Sequence, residues 1–158
     1  MLTENNSNEK KATAPTSRKL RVLIVVTLII LTVQGWFGDV VNIFLAPATG
    51  ESASSFPFSL SGFLQGVYSL GFPLEYHAFE GMLLVALSIA VLALSFKWSG
   101  AKSVRICAIF AAFFVFSAAL GGFLFVLSGF SDGGNSAQMG GSFIGSYAFN
   151  FIALYYAK

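Results

Sequence analysis

VLIVVTLIILTVQGWFGDVVNIFLA, residues 22–46, is the stretch that decides the fold of this chain. It is apolar apart from small residues, two threonines and three polar positions, Gln34, Asp39 and Asn42. A helix rises about 1.5 Å per residue, so this stretch reaches about 37 Å, more than the roughly 30 Å hydrocarbon core of a bilayer. The stretch therefore predicts a membrane-spanning helix.

The composition of the whole chain agrees with a membrane protein. Of its 158 residues, 56% are hydrophobic and only 10% are charged, whereas an average soluble domain is about 25% charged. The single cysteine, Cys107, excludes a disulfide framework within the chain and a Cys-x-x-Cys motif. A formal net charge of +2 gives no support to nucleic-acid binding.

Three further apolar segments follow the first one, at residues 76–96, 104–130 and 137–157. Each is long enough to cross a bilayer as a helix. Together with residues 22–46 they predict an all-α integral membrane protein, a four-transmembrane-helix bundle that occupies residues 21–158. We expect a multi-pass protein of the cell membrane, in contact with the lipid bilayer.

Two polar segments lie outside these spans. Residues 1–20 are rich in Asn, Ser, Thr and Lys and have no apolar period, which predicts a disordered cytoplasmic tail. Residues 47–72 are rich in Gly, Ser, Pro and Phe, which predicts a loop. Because this loop also carries apolar side chains, we expect it to fold back onto the membrane surface.

The charges predict the orientation. Basic residues accumulate on the cytoplasmic side of membrane proteins. With four spans, every basic residue of the chain falls on one side, whereas Glu51, Glu75 and Asp132 fall on the other. We therefore expect both termini in the cytoplasm. The basic residues are Lys10, Lys11, Arg18, Lys19, Arg21, Lys97, Lys102, Arg105 and Lys158.

Polar residues inside the predicted spans lie at similar depth, near the outer ends. Gln34, Asp39 and Asn42 share one side of the first span by their spacing, and Glu80 begins the second. Such a side usually faces protein, so these four residues predict a partly dehydrated polar layer that can hold protons. The alternative is that Asp39 and Glu80 extend to water at the outer interface.

His77, the only histidine, opens the second span three residues before Glu80. Residues three apart on a helix are neighbours, so the carboxylate can influence the imidazole. The residue is a candidate metal or cofactor ligand. Its alternative role is that of an amphipathic ring in the headgroup region.

The sequence predicts two similar hairpins, each made of two helices. In each, a helix carrying a glycine-containing stretch, residues 34–38 (QGWFG) or 120–122 (LGG), precedes a helix that opens with a candidate ligand, His77 or Met139. The layout, with EYH at residues 75–77, resembles half of a haem A synthase. That eight-helix membrane family is built from two four-helix units.

The resemblance implies a four-helix bundle that handles haem. His77 corresponds to a family histidine, although the family has arginine next to it and this chain has Ala78. Met139 stands where the family has a second histidine. With these side chains the bundle is expected to hold one b-type haem through the iron ligand His77, with Met139 as second axial ligand.

Two functions follow as expectations. The first is a membrane-embedded b-type haem protein for electron transfer or haem handling in a respiratory chain, with its site near the outer face. The alternative is a non-catalytic structural or accessory subunit of a larger membrane complex, with membrane proteins or further copies of this chain as partners.

Overall fold

The computed structural model describes residues 4–41 and 55–157, with side chains from residue 16 onward. This part of the chain forms helices and no strand, as the sequence predicted. Within these described residues, three segments are long and apolar enough to cross a membrane: Thr16–Val40, Phe72–Lys97 and Lys102–Leu127. The protein is thus an all-helical membrane protein. The helices are α1 (Glu4–Val40), α2 (Leu60–Ser69), α3 (Phe72–Lys97), α4 (Lys102–Leu127) and α5 (Gly133–Tyr156).

The four long helices form a ring. Helix α1 contacts α3, α3 contacts α4, α4 contacts α5, and α5 returns to α1. Short connections at residues 98–101 and 128–132 make successive helices antiparallel. The short helix α2 lies against α3 and α4. The predicted hairpins correspond to the neighbouring pairs α1/α3 and α4/α5.

Three apolar clusters mark the two ends and the middle of the ring. Leu20, Trp98 and Val104 belong to the cluster at one end, which we call the basic end because Lys97 and Lys102 lie beside it. Leu31, Leu84 and Val115 form the middle cluster. The cluster at the opposite end, called the His77 end, contains Val41, Val67, Leu74, Phe125, Val126 and Phe130.

Helix α1 differs from the prediction at its start. It begins at Glu4, whereas the sequence predicted a disordered tail through residue 20. Residues 9–12 are Glu-Lys-Lys-Ala, all good helix formers. A helix that is already formed also extends at low cost. The last residues of the predicted first span, 42–46, lie outside the described residues.

The prediction of a loop over residues 47–72 is wrong for residues 60–69, which form helix α2. Its first turn is capped by Ser59, whose hydroxyl accepts a hydrogen bond of 3.0 Å from the backbone nitrogen of Gly62. Gly66 and Val67 are buried against the bundle, and Gly62 is buried under the backbone of Pro57. Composition alone suggested a loop, but the cap and the packing of this face favour a helix.

The ends of the other helices shift by a few residues because of local caps. Helix α3 begins at Phe72 rather than residue 76, since Pro73 fits a first helical turn. Helix α4 ends at Leu127 rather than residue 130. There Gly129 has a φ of 66°, and Phe130 N donates to Phe125 O at 3.0 Å, which is a Schellman motif.

Helix α5 begins at Gly133 rather than residue 137. The carboxylate of Asp132 accepts hydrogen bonds from the backbone nitrogens of Gly134 at 2.9 Å and Asn135 at 3.3 Å. Aspartate is a preferred residue at this capping position, and it also suits the positive end of the helix dipole. The cap therefore starts the helix at Gly133, four residues before the predicted fourth span.

Candidate functional site

The site is built on a contact between α1 and α3 at the His77 end. The side-chain nitrogen of Gln34 donates to the backbone oxygen of His77 at 3.1 Å. The same nitrogen lies 3.4 Å from Nε2 of the His77 ring. An amide N–H can donate to this ring nitrogen when the nitrogen is unprotonated. Gln34 thus reaches both the main chain and the ring of His77.

Glycines make this approach possible. A Cβ atom at Gly38 would lie 3.1 Å from Cε1 of His77, closer than ordinary van der Waals contact, so the ring rests on the bare backbone of α1. A Cβ atom at Gly81 would lie 3.5 Å from the Gln34 nitrogen. Gly38 therefore lets helices α1 and α3 approach closely, as is typical of packing in membranes, whereas the distance at Gly81 is that of an ordinary van der Waals contact.

Glu80 is buried one turn below His77, with 5% of its surface exposed. Its Oε1 atom accepts a hydrogen bond of 3.2 Å from the hydroxyl of Tyr76. The Tyr76 ring packs on Phe37 of α1, with 4.5 Å between ring centroids. The carboxyl group therefore belongs to the same helix pair as Gln34 and His77.

Three buried polar atoms of this helix pair have no hydrogen-bond partner among the described residues. They are Oε1 of Gln34, Nδ1 of His77 and Oε2 of Glu80. A buried polar group without a partner costs about 1–3 kcal/mol, so a cluster of such groups requires an explanation. Ordered water, or a bound group that supplies donors, acceptors or a metal ion, would compensate this cost.

Met139 occupies the matching place in the second helix pair. Its sulfur lies 3.1 Å from the position that a Cβ atom at Gly122 would take, and its Cγ lies 3.2 Å from that of Gly121. His77 rests on a glycine of α1 in the same way. The two candidate ligands therefore lie at the same end of the ring, on opposite helix pairs.

The remaining predicted site residues are distributed differently. Asp39 is exposed, whereas Glu80 is buried, so the structure does not give the two carboxylates a common environment. Asn42 lies outside the described residues. Of the predicted polar layer, the structure joins Gln34 to His77 and places Glu80 beside Tyr76.

Two polar contacts were not anticipated from the sequence. Tyr76 stands four residues before Glu80, a spacing that could have identified the pair. Between α4 and α5, the hydroxyl of Ser142 donates to Ser117 Oγ at 2.9 Å, and Gln138 Nε2 donates to the same atom at 3.2 Å. The repeat of polar residues every four positions in α5 was the available signal for the second contact.

Within the described part of the chain, no group of three or more His, Cys, Asp or Glu side chains is arranged to hold a metal ion. No protein-family model, curated protein or solved structure matches this chain. The resemblance to haem A synthases therefore stays a prediction.

Proposed function

We propose that this protein binds a b-type haem within the membrane, at the His77 end, for electron transfer or haem handling. The observation that carries the proposal is the buried Nδ1 atom of His77, which has no partner in the described part of the chain. A ring nitrogen that is shielded from water and free of other hydrogen bonds would suit a ligand to haem iron.

Small residues flank both candidate ligands. Gly38, Gly121 and Gly122 present bare backbone against which the His77 ring and the Met139 side chain pack closely. His77 would hold the iron, and Met139 would be the second ligand. When bound, the haem would supply reversible one-electron transfer.

The chain itself would orient the ligand. Gln34 fixes the position of His77 through the main chain, because its amide nitrogen donates to the backbone oxygen of His77 at 3.1 Å. Gln34 would thus act as the positioning residue for the ring, and Glu80 with Tyr76 would hold a proton close by.

We further propose that α5 is a fourth span. Its polar residues recur every four positions, and three of them, Ser142, Ser146 and Asn150, are buried in the ring. Exposed positions such as Ile144 and Phe151 are apolar. The low mean hydropathy of α5 therefore comes from an inward polar stripe, which membrane helices tolerate.

The proposed orientation places the basic end in the cytoplasm. Lys97, Lys102 and Arg105 lie beside the turn between α3 and α4, whereas Glu75 and Asp132 lie at the His77 end. This distribution follows the positive-inside rule. It puts both termini inside the cell and the haem site near the outer face of the cell membrane.

The decisive experiment is the absorption spectrum of protein purified from haem-replete cells. We expect a Soret band in wild type, its loss in His77→Ala, and its return when imidazole is added to the variant. Phe79→Ala is a matched control, because this neighbouring side chain is exposed. A colourless wild type, or a His77→Ala variant with an unchanged spectrum, would overturn the proposal. A colourless protein with a stoichiometric membrane partner would favour the accessory-subunit function.

A further inference from the structure

Helix α2 has three different faces. One face is buried: Gly66 and Val67 lie against the bundle, and Gly62 is covered by the backbone of Pro57. A second stripe, which we call the apolar stripe, is exposed and consists of Leu60, Leu64 and Tyr68. A third stripe, the polar stripe, is also exposed and consists of Ser61, Gln65 and Ser69. Each exposed stripe recurs every four residues, so each follows one side of the helix.

The buried face fixes how α2 is oriented on the bundle. Phe63 packs on Phe123 of α4, with 5.1 Å between ring centroids. The backbone nitrogen of Phe56 donates to Leu127 O at 2.9 Å, just before α2 begins. The apolar stripe is therefore held in a fixed direction away from the bundle, and it cannot turn inward without breaking these contacts.

We propose that the apolar stripe of α2 lies in the lipid at the boundary between headgroups and acyl chains, at the His77 end of the bundle. Phe72, the first residue of the apolar helix α3, follows α2 after two residues and is exposed as well. Since α3 contacts the lipid bilayer, the same lipid covers its neighbour. The stretch from Ser55 to Leu74 carries no charged residue, so its insertion desolvates no ion.

The polar stripe supports the same position. A helix immersed in lipid on all free sides would leave Ser61 and Gln65 unsolvated, whereas a helix in water would expose Leu60 and Leu64. A helix in the plane of the interface satisfies both stripes, and an aromatic residue with a hydroxyl, Tyr68, is typical of this depth. This inference is independent of the haem proposal.

Spin labels on the two stripes test it. In full-length protein carrying Cys107→Ala, single cysteines replace Leu64 or the adjacent Gln65, and the labelled protein is placed in lipid nanodiscs. Collision rates with oxygen, which concentrates in lipid, and with a water-soluble nickel complex are then compared. We expect the Leu64 label to favour oxygen and the Gln65 label to favour nickel.

Two results would overturn the proposal. The first is that both labels report water. The second is a Leu64 label that is immobilised and shielded from both reagents, which would indicate a protein partner or a second copy of the chain. The pair Tyr68 and Ser61 repeats the comparison one turn away, so a single variant that fails to fold does not decide the outcome.

Discussion

The side-chain nitrogen of Gln34 lies 3.1 Å from the backbone oxygen of His77 and 3.4 Å from its ring, so one residue of α1 contacts two groups of one residue in α3. Hydrogen bonds between membrane helices contribute about 0.6 kcal/mol on average and up to about 1.7 kcal/mol. The contact therefore contributes only modestly to stability, but it strongly restricts the position of the His77 ring.

Replacing Gln34 with Met, which has a similar length, should remove this hydrogen bond with little loss of volume. We expect the free energy of unfolding to fall by about 0.5–2 kcal/mol, as measured by titration with sodium dodecyl sulfate. Thr32→Val is the control, because the Thr32 hydroxyl donates to Leu28 O within the same helix. An equal effect of both variants would show that the contact between helices has no special weight.

The α4/α5 interface offers a second test, with two glycines of one helix. A Cβ atom at Gly145 would lie 2.8 Å from the Phe114 ring, whereas one at Gly141 would meet no described atom within 4 Å. Gly145→Ala should lower the free energy of unfolding by about 1–3 kcal/mol through overpacking. Gly141→Ala should raise it by up to about 1 kcal/mol, because alanine favours helices. The opposite order of stabilities would contradict this packing.

The long apolar helices could be predicted from the sequence because hydropathy over 20 or more residues dominates their placement. The close approach of Gln34 to His77 could not, since it depends on how α1 and α3 pack at Gly38. The burial of Glu80 likewise goes with its contact to Tyr76. From the depth of Glu80 along the helix alone, the sequence predicted the same environment as for Asp39. Helix α2 was missed because a short helix on a bundle is stabilised by packing and a cap rather than by composition.

Impermeant maleimide should distinguish the two ends of the bundle. Cysteine at Ser131 should react in intact cells, and cysteine at Ser99 or Tyr156 should react only after permeabilisation, since α5 is proposed to return to the cytoplasm. All three positions are exposed. Reaction of Tyr156→Cys in intact cells would reject the fourth span, and reaction of Ser99→Cys would reject the proposed orientation.

Met139→Leu tests the second haem ligand. The substitution nearly conserves volume but removes the sulfur. We therefore expect retained haem with a shifted spectrum and a lower reduction potential, because methionine ligation raises the potential. Met82→Leu is the matched control, since Met82 is exposed on α3. Identical spectra for wild type and Met139→Leu would remove Met139 from the site and leave His77 as the tested ligand.

The last prediction concerns the buried pair of Tyr76 and Glu80. Tyr76→Phe removes the only hydrogen bond that the described residues give to the Glu80 side chain. The free energy of unfolding should therefore fall by about 1–3 kcal/mol. In Tyr76→Phe/Glu80→Met no carboxyl group remains to be satisfied, so the double variant should be more stable than Tyr76→Phe alone. A double-mutant cycle from unfolding titrations measures this coupling. Additive effects would show that water or another group, and not Tyr76, compensates for the burial of Glu80.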